Sequence, residues 1–251
     1  MARSTSSSSR AKANGFIHQC NVGKKIMKKV AKSCPVIIGT GKSGHNRNIR
    51  KFVANNAELT SDAVFGELRK HLESELKSLG ITASTELSNG EWVLALPNNR
   101  GKTGGVKHRD VNFKQPGYLT VLLFFGDRKS KGYGSAKIWR NTQTFMKNHT
   151  FIDKDKGEFK NHMRELQKFD ELEEGGGRGL ILSPDLFNCA IFDSRLWHQS
   201  LPHTSHAHRV SLTFFLKLKE GKLQPTPPAD TTYSYYLKRN EWEAVDLSKY
   251  I

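Results

Sequence analysis

The chain has 251 residues, 36% of them apolar and 25% charged, enough for one sizeable domain with a large core or for two small ones. No run of eighteen apolar residues occurs, which excludes a membrane-spanning helix of ordinary length. The three cysteines (Cys20, Cys34, Cys189) lack any CxxC spacing, which argues against a disulfide framework or a cysteine-based zinc site and fits an intracellular, reducing compartment.

The formal net charge is +16, and it is unevenly placed. Twelve Lys and Arg precede the first acidic residue, Glu58. Residues 1–57 therefore read as a basic, partly disordered lead, with residues 58–251 forming a single domain. The opening "MARSTSSSSRAKANG" is Ser- and Arg-rich and acid-free, as in a tail or an organelle transit peptide, although no amphipathic helix is evident in it. "KKIMKKVAK" reads equally as a nuclear signal, a phosphate-contacting helix or a solvated face. Nuclear and organellar destinations both stay open. A field of this sign attracts polyanions whatever their sequence.

"VIIGTGKSG" (residues 36–44) looks like a strand followed by a phosphate loop. A P-loop needs Gly where Val36 stands, and "GHNRNIRKF" is a poor helix, so a Gly-rich basic loop is the better reading. Next, "TSDAVFGELRKHLESELKSLG" places Phe65, Leu68, Leu72, Leu76 and Leu79 at helical spacing. Thr60 or Ser61 can cap its start and Gly80 its end. Past it the texture turns to short β-like runs: "EWVLALP", "GYLTVLLFF", "SAKIWR", "GLILS", "CAIFDS" and "RVSLTFFLKL". Gly, Pro, Asn and Asp punctuate them, as in an antiparallel sandwich or barrel. An insertion at about 141–178 carries Phe159, Met163, Leu166 and Phe169 at helix-like spacing and predicts a charged helix acting as a lid or docking element. A Pro-rich, then aromatic tail closes the chain.

"HRDVNF" (residues 108–113) contains the His-Arg-Asp of a kinase catalytic loop, but Gln115 stands where that loop needs Asn, and no Asp-Phe-Gly follows. The tripeptide has another use. Alternate residues of an extended segment share a face, so His108 and Asp110 can occupy two adjacent corners of a metal's coordination shell. The third ligand must come from a distant strand, and His198 ends the buried-looking run "LFNCAIFDSRLW". Two histidines and one carboxylate, with the other positions open, form the facial triad of non-haem Fe(II) oxygenases. Eleven residues on, Arg209 and Ser211 share a strand face and can clamp a carboxylate.

His-x-Asp, a distal His and then Arg-x-Ser on the closing strand resemble the 2-oxoglutarate/Fe(II)-dependent dioxygenases. "GYGSAKIW" resembles the strand that follows the first ligands in many members. The resemblance covers about residues 90–218. It implies an α+β, predominantly β fold: a double-stranded β-helix (jelly-roll) core with a flanking N-terminal helix and the helical insertion. It implies iron held by His108, Asp110 and His198, and 2-oxoglutarate held by Arg209 and Ser211 with Thr120 in the cosubstrate pocket. Ascorbate is a candidate reductant. Phe124 stands where prolyl-hydroxylase-like members often have a tyrosine, a departure from their pattern. His203, His206 and His208 are then solvated residues of the loop before the last strand. A four-histidine zinc site would need ligands that one short loop can hardly converge, and it would leave Asp110 and Arg209 unexplained.

The expected reaction is hydroxylation of a C–H bond. The basic lead, with Lys107, Arg109, Arg140 and Trp139 as exposed candidates, favours a nucleic-acid partner and a methylcytosine- or thymine-type base, extruded into the pocket. The segment at 108–112 is also somewhat similar to TET and base-J-type oxygenases. Arg109, Asn112 and Trp139 are the substrate-binding candidates; Phe113 and Trp197 are candidates for the pocket wall or the core. The alternatives are a prolyl- or lysyl-type protein hydroxylase, and a catalytically silent nucleic-acid-binding β-helix protein.

Overall fold

The computed structural model describes residues 15–32, 35–39, 49–54, 62–87, 90–95, 107–110, 117–144, 151–152, 179–218 and 242–246. Two helices, α1 (Lys24–Lys32) and α2 (Asp62–Ser78), accompany the strands. These are β1 (Ile17–Cys20), β2 (Pro35–Gly39), β3 (Ile49–Ala54), β4 (Ala83–Leu87), β5 (Gly90–Ala95), β6 (Lys107–His108) and β7 (Tyr118–Phe125). They continue as β8 (Ala136–Trp139), β9 (Phe151–Ile152), β10 (Gly179–Ile181), β11 (Cys189–Asp193), β12 (His198–Ser200), β13 (Arg209–Leu218) and β14 (Trp242–Asp246).

The strands form two antiparallel sheets. The major one runs β1-β11-β7-β13-β5-β3-β2-β14, with β4 also on β13, and the minor one runs β10-β8-β12-β6-β9. All six β-like runs singled out in the sequence are strands here. The period of two then sorts their side chains. On β7 and β13, Leu119, Val121, Leu123, Phe125, Val210, Leu212, Phe214 and Leu216 face one way and pack with Phe65, Leu68, Leu72 and Leu76 of α2. The other face of the major sheet meets the minor sheet, with Phe124, Ala190 and Phe192 packing on Ala136, Ile138, Leu182 and Leu196. Thr120, Arg209 and Ser211 share that inner face by strand alternation and are buried.

Helix α2 ends as its sequence predicts. Gly80 takes φ 74°, its N–H donates to the Lys77 carbonyl at 2.9 Å and Ile81 N–H to Leu76 at 2.9 Å, a Schellman arrangement that satisfies the last carbonyls. Each fully buried leucine on its inward stripe is worth about 1.5–3 kcal/mol of burial. Leu79, the last residue of the expected apolar stripe, lies outside it and is exposed.

Several described segments before residue 57 pack with the rest of the chain. β1 pairs with β11 from Ile17↔Phe192 to Cys20↔Cys189, and Asn188 accepts the Val22 N–H at 2.7 Å and donates to the Val22 carbonyl at 2.8 Å. α1 buries Met27, Val30 and Ala31 while Lys24, Lys25, Lys28 and Lys32 stay exposed. Five of the twelve basic residues before Glu58 thus belong to an amphipathic helix, and β2 and β3 extend the same sheet. Within the expected insertion, Phe151–Ile152 is a strand paired with β6; the helix expected around Phe159–Phe169 lies outside the described residues, as do residues 1–14.

Candidate active site

The minor sheet brings the two distant histidines side by side. His198 opens β12 and is the register partner of His108 on β6, and their ring centroids are 4.2 Å apart. Asp110 follows β6, its N–H donating to the Ser194 carbonyl at 3.1 Å. Its Oδ1 lies 3.6 Å from Nε2 of His108 and 3.5 Å from Nε2 of His198. The three donor atoms lie within 4.8 Å of one another.

His198 and Asp110 are oriented from behind. His198 Nδ1 is 3.0 Å from the Leu196 carbonyl, an acceptor only, so Nδ1 carries the proton and Nε2 presents its lone pair to the centre. The Phe192 ring meets that imidazole edge-on, with centroids 5.0 Å apart. Thr120 donates its hydroxyl proton to Asp110 Oδ2 at 2.6 Å. Ser194 Oγ is 2.9 Å from the same threonine oxygen. Burial pushes the Asp110 carboxyl upward in pKa, but His198, His108 and the threonine outweigh it and hold it at about 2. Burial lowers the His198 pKa, yet the same carboxylate raises it on balance. The turn between β11 and β12 is pinned by Asp193, which accepts from Arg195 Nη2 at 2.6 Å, from its Nε at 2.9 Å and from Gly15 N–H at 2.9 Å.

Arg209 is the second feature. It is 5% exposed, its Nη1 reaches the Leu201 carbonyl at a long 3.4 Å, and its Nε has no hydrogen-bond partner. No carboxylate pairs with it among the described residues. Burial accordingly lowers its pKa, with Tyr133 acting the other way. A buried cation without an anion is costly to keep, and it suits a site whose anion arrives with a ligand. Gly134 makes room for it: a Cβ there would meet Arg209 Nη1 at 2.5 Å and the Pro202 carbonyl at 2.9 Å.

The structure therefore brings together His108, Asp110 and His198, and puts Arg209 and Ser211 on one inward strand face. It also gives the surroundings of the other candidates. Thr120, expected in the cosubstrate pocket, bonds the Asp110 carboxylate. Trp139 and Arg109, expected to be exposed, are buried. The Trp139 ring is covered at its face by Lys107 and Lys137. Arg109 lies 4.7 Å from the centroid of the buried Trp197, donates to the Gln143 carbonyl at 3.1 Å and has its pKa pulled down by burial to about 10. Arg140 is exposed as expected; Asn112 and Phe113 lie outside the described residues.

His203 also differs from expectation. Rather than being solvated, it is 2% exposed, accepts the Gly134 N–H at Nδ1 (3.0 Å) and donates from Nε2 to the Ala207 carbonyl (2.7 Å). His206 is exposed and His208 half-buried. Tyr133 was missed by sequence reasoning. It packs against His203 and Phe124 beside Arg209, and its hydroxyl donates to the Phe125 carbonyl at 2.7 Å. "GYGSAKIW", which ends in β8, contains it, but the motif was read only for its strand.

No protein-family model and no curated protein matches this sequence. Solved structures do match it. SnoK, a non-heme alpha ketoglutarate dependent carbocyclase from nogalamycin biosynthesis, aligns with a TM-score of 0.54 at 10% identity, over 94% of this chain and 90% of its own. HygX from Streptomyces hygroscopicus, solved with nickel, 2-oxoglutarate and hygromycin B, gives 0.49 at 12% identity over 94% of each chain. EvdMO1 gives 0.40 at 17% identity over 61% of this chain, which spans only 31% of that protein's length. The likeness to SnoK establishes the fold: two antiparallel sheets packed as a double-stranded β-helix, as the sequence led us to expect, with two helices among the described residues.

Proposed function

We propose that the protein is a 2-oxoglutarate- and Fe(II)-dependent oxygenase that hydroxylates a C–H bond. The observation that carries this reading is the pairing of an N2O donor set with a buried guanidinium that has no counter-charge among the described residues. Both fit the groups they would hold. Imidazole and carboxylate suit iron, and three protein ligands leave half of an octahedron free. The orphaned Nε of Arg209, with the Ser211 hydroxyl on the same face, suits the distal carboxylate of a keto diacid. SnoK, which shares the fold, is by its description a non-heme enzyme dependent on the same keto acid.

Bound there, iron and 2-oxoglutarate would supply dioxygen activation, with the keto acid oxidised to succinate and CO2 as the substrate gains oxygen. The chain's own part is geometry and exclusion of water. The Leu196 carbonyl fixes the His198 tautomer, Thr120 holds Asp110 so that Oδ1 faces the centre, and Arg209 would pair with the cosubstrate's distal carboxylate. Phe124, Ile138, Phe192 and Leu196 line the inner layer with apolar surface. His108, with a side chain 35% exposed, marks the side on which a substrate can approach.

Our finer reading is a nucleic-acid substrate, oxidised at a base. Its support is charge: the net +16 and the exposed lysines of α1. Burial of Trp139 and Arg109 removes the stacking and phosphate contacts first assigned to them, so base recognition must come from other residues. The test is succinate formation by Fe(II)-loaded protein with methylated or thymine-containing DNA, with RNA and with Pro-rich or Lys-rich peptides. Stimulation by nucleic acid supports this reading, stimulation by peptide alone replaces it with a protein hydroxylase, and salt-sensitive DNA binding without succinate supports a silent binding protein.

A further inference from the structure

One other group of potential ligands stands among the described residues: His18 and Cys20 of β1 and Glu75 of α2, with donor atoms within 4.8 Å of one another. It is independent of the candidate active site. Cys20 belongs to the layer between the major sheet and the helices, whereas Phe192 faces the opposite side of the same sheet, toward His198. His18 and Cys20 are alternate residues of an edge strand and so share a face, the one that meets α2.

The parts are suited to a borderline-soft cation. His18 Nε2 and Glu75 Oε1 lie 2.8 Å apart on side chains 24% and 32% exposed, which leaves a route in from solvent. Cys20 stands beneath them at 7% exposure. Its cross-strand register partner is Cys189, buried in the same layer. Tetrahedral zinc, with bonds of about 2.0–2.3 Å, holds its donors roughly 3.3–3.8 Å apart. The direct His18–Glu75 contact has to open by about half an ångström, a small movement for two partly exposed side chains.

We propose that His18, Cys20 and Glu75 bind a zinc-class divalent cation that clamps the edge strand β1 to α2. One thiolate and one carboxylate balance its two charges, the Cys20 proton leaves to solvent on binding, and the fourth position stays with water or an exogenous ligand. The spacing rule that argued against a cysteine-based zinc site applies to local CxxC knuckles. Here the donors come from elements far apart in sequence.

Cobalt(II) titration of the full chain tests this, because a thiolate-to-cobalt charge-transfer band requires a cysteine and the His108–Asp110–His198 set has none. The expected result is one equivalent of that band, lost in Cys20→Ser. Zinc should raise Tm by several degrees in wild type, and a rise should persist in His198→Ala, where the other donor set is disabled. Because Cys20→Ser touches the core, His18→Ala and Glu75→Gln provide the second reading. Both change partly exposed positions and should weaken cobalt binding at least tenfold with far-UV circular dichroism unchanged. Absence of the band at stoichiometric cobalt, its persistence in Cys20→Ser, or unaltered affinity in both partly exposed variants would overturn the proposal.

Discussion

The Thr120 hydroxyl donates to Oδ2 of Asp110 across 2.6 Å, which leaves Oδ1 as the oxygen that faces both imidazoles. A threonine that a family pattern assigns to the cosubstrate thus bonds, in this chain, a carboxylate of the candidate metal site. Thr120→Val keeps the shape and removes the donor. Metal affinity should fall about 10–100-fold, as when other outer-shell partners of ligands are lost, and Thr120→Ser should restore most of it. Competition with a chelator of known affinity measures both.

Arg209 separates stability from binding. Replacing the unpaired, buried guanidinium with Met removes a desolvated charge, so the Tm of Arg209→Met without ligands should equal or exceed that of wild type. Its 2-oxoglutarate affinity should fall by about 2–5 kcal/mol, because the ligand's carboxylate is left without its partner. Calorimetry and thermal melting on the same samples check the opposed signs.

Gly134→Ala reaches the same guanidinium indirectly. The added methyl would sit 2.5 Å from Nη1 and 2.9 Å from the Pro202 carbonyl, so the arginine must move. We expect weaker 2-oxoglutarate binding with metal affinity unchanged, a split that a general loss of folding would not give.

His203 predicts a pH dependence. Burial lowers its pKa below that of an ordinary histidine, aided by Arg209 and His208 and opposed by the bond to the Ala207 carbonyl. Protonation would also break the Gly134 N–H to Nδ1 bond. The unfolded chain takes up this proton first, so the contribution is complete above about pH 6.5 and declines as pH falls toward the lowered folded value. His203→Asn should show a shallower loss of Tm between about pH 6.5 and 5 than wild type, whatever its overall stability.

The legible parts of this molecule are those whose cause is local. His-x-Asp before a strong strand, the stripe of α2 and the Arg-x-Ser alternation on β13 all follow from periods of 3.6 and 2, and the structure places each where that spacing requires. What could not be read depends on partners far away in sequence. His203 is buried because Gly134 and Ala207 satisfy both ring nitrogens, and nothing in "LPHTSHAH" announces that. The lysines of α1 hid a helix whose apolar side packs on α2. Trp139 and Arg109 looked like surface contacts because β8 and β6 are short, and short strands reveal little about which side is covered.

The most direct test of the central claim is equilibrium binding of 2-oxoglutarate to protein loaded with a redox-inert divalent metal, in wild type, His198→Ala and Arg209→Met. The account predicts one site per chain in wild type, dependent on metal, with affinity reduced at least about 30-fold in each variant. Binding that is unaffected by metal removal and by both substitutions, or no binding to metal-loaded wild type, would contradict it.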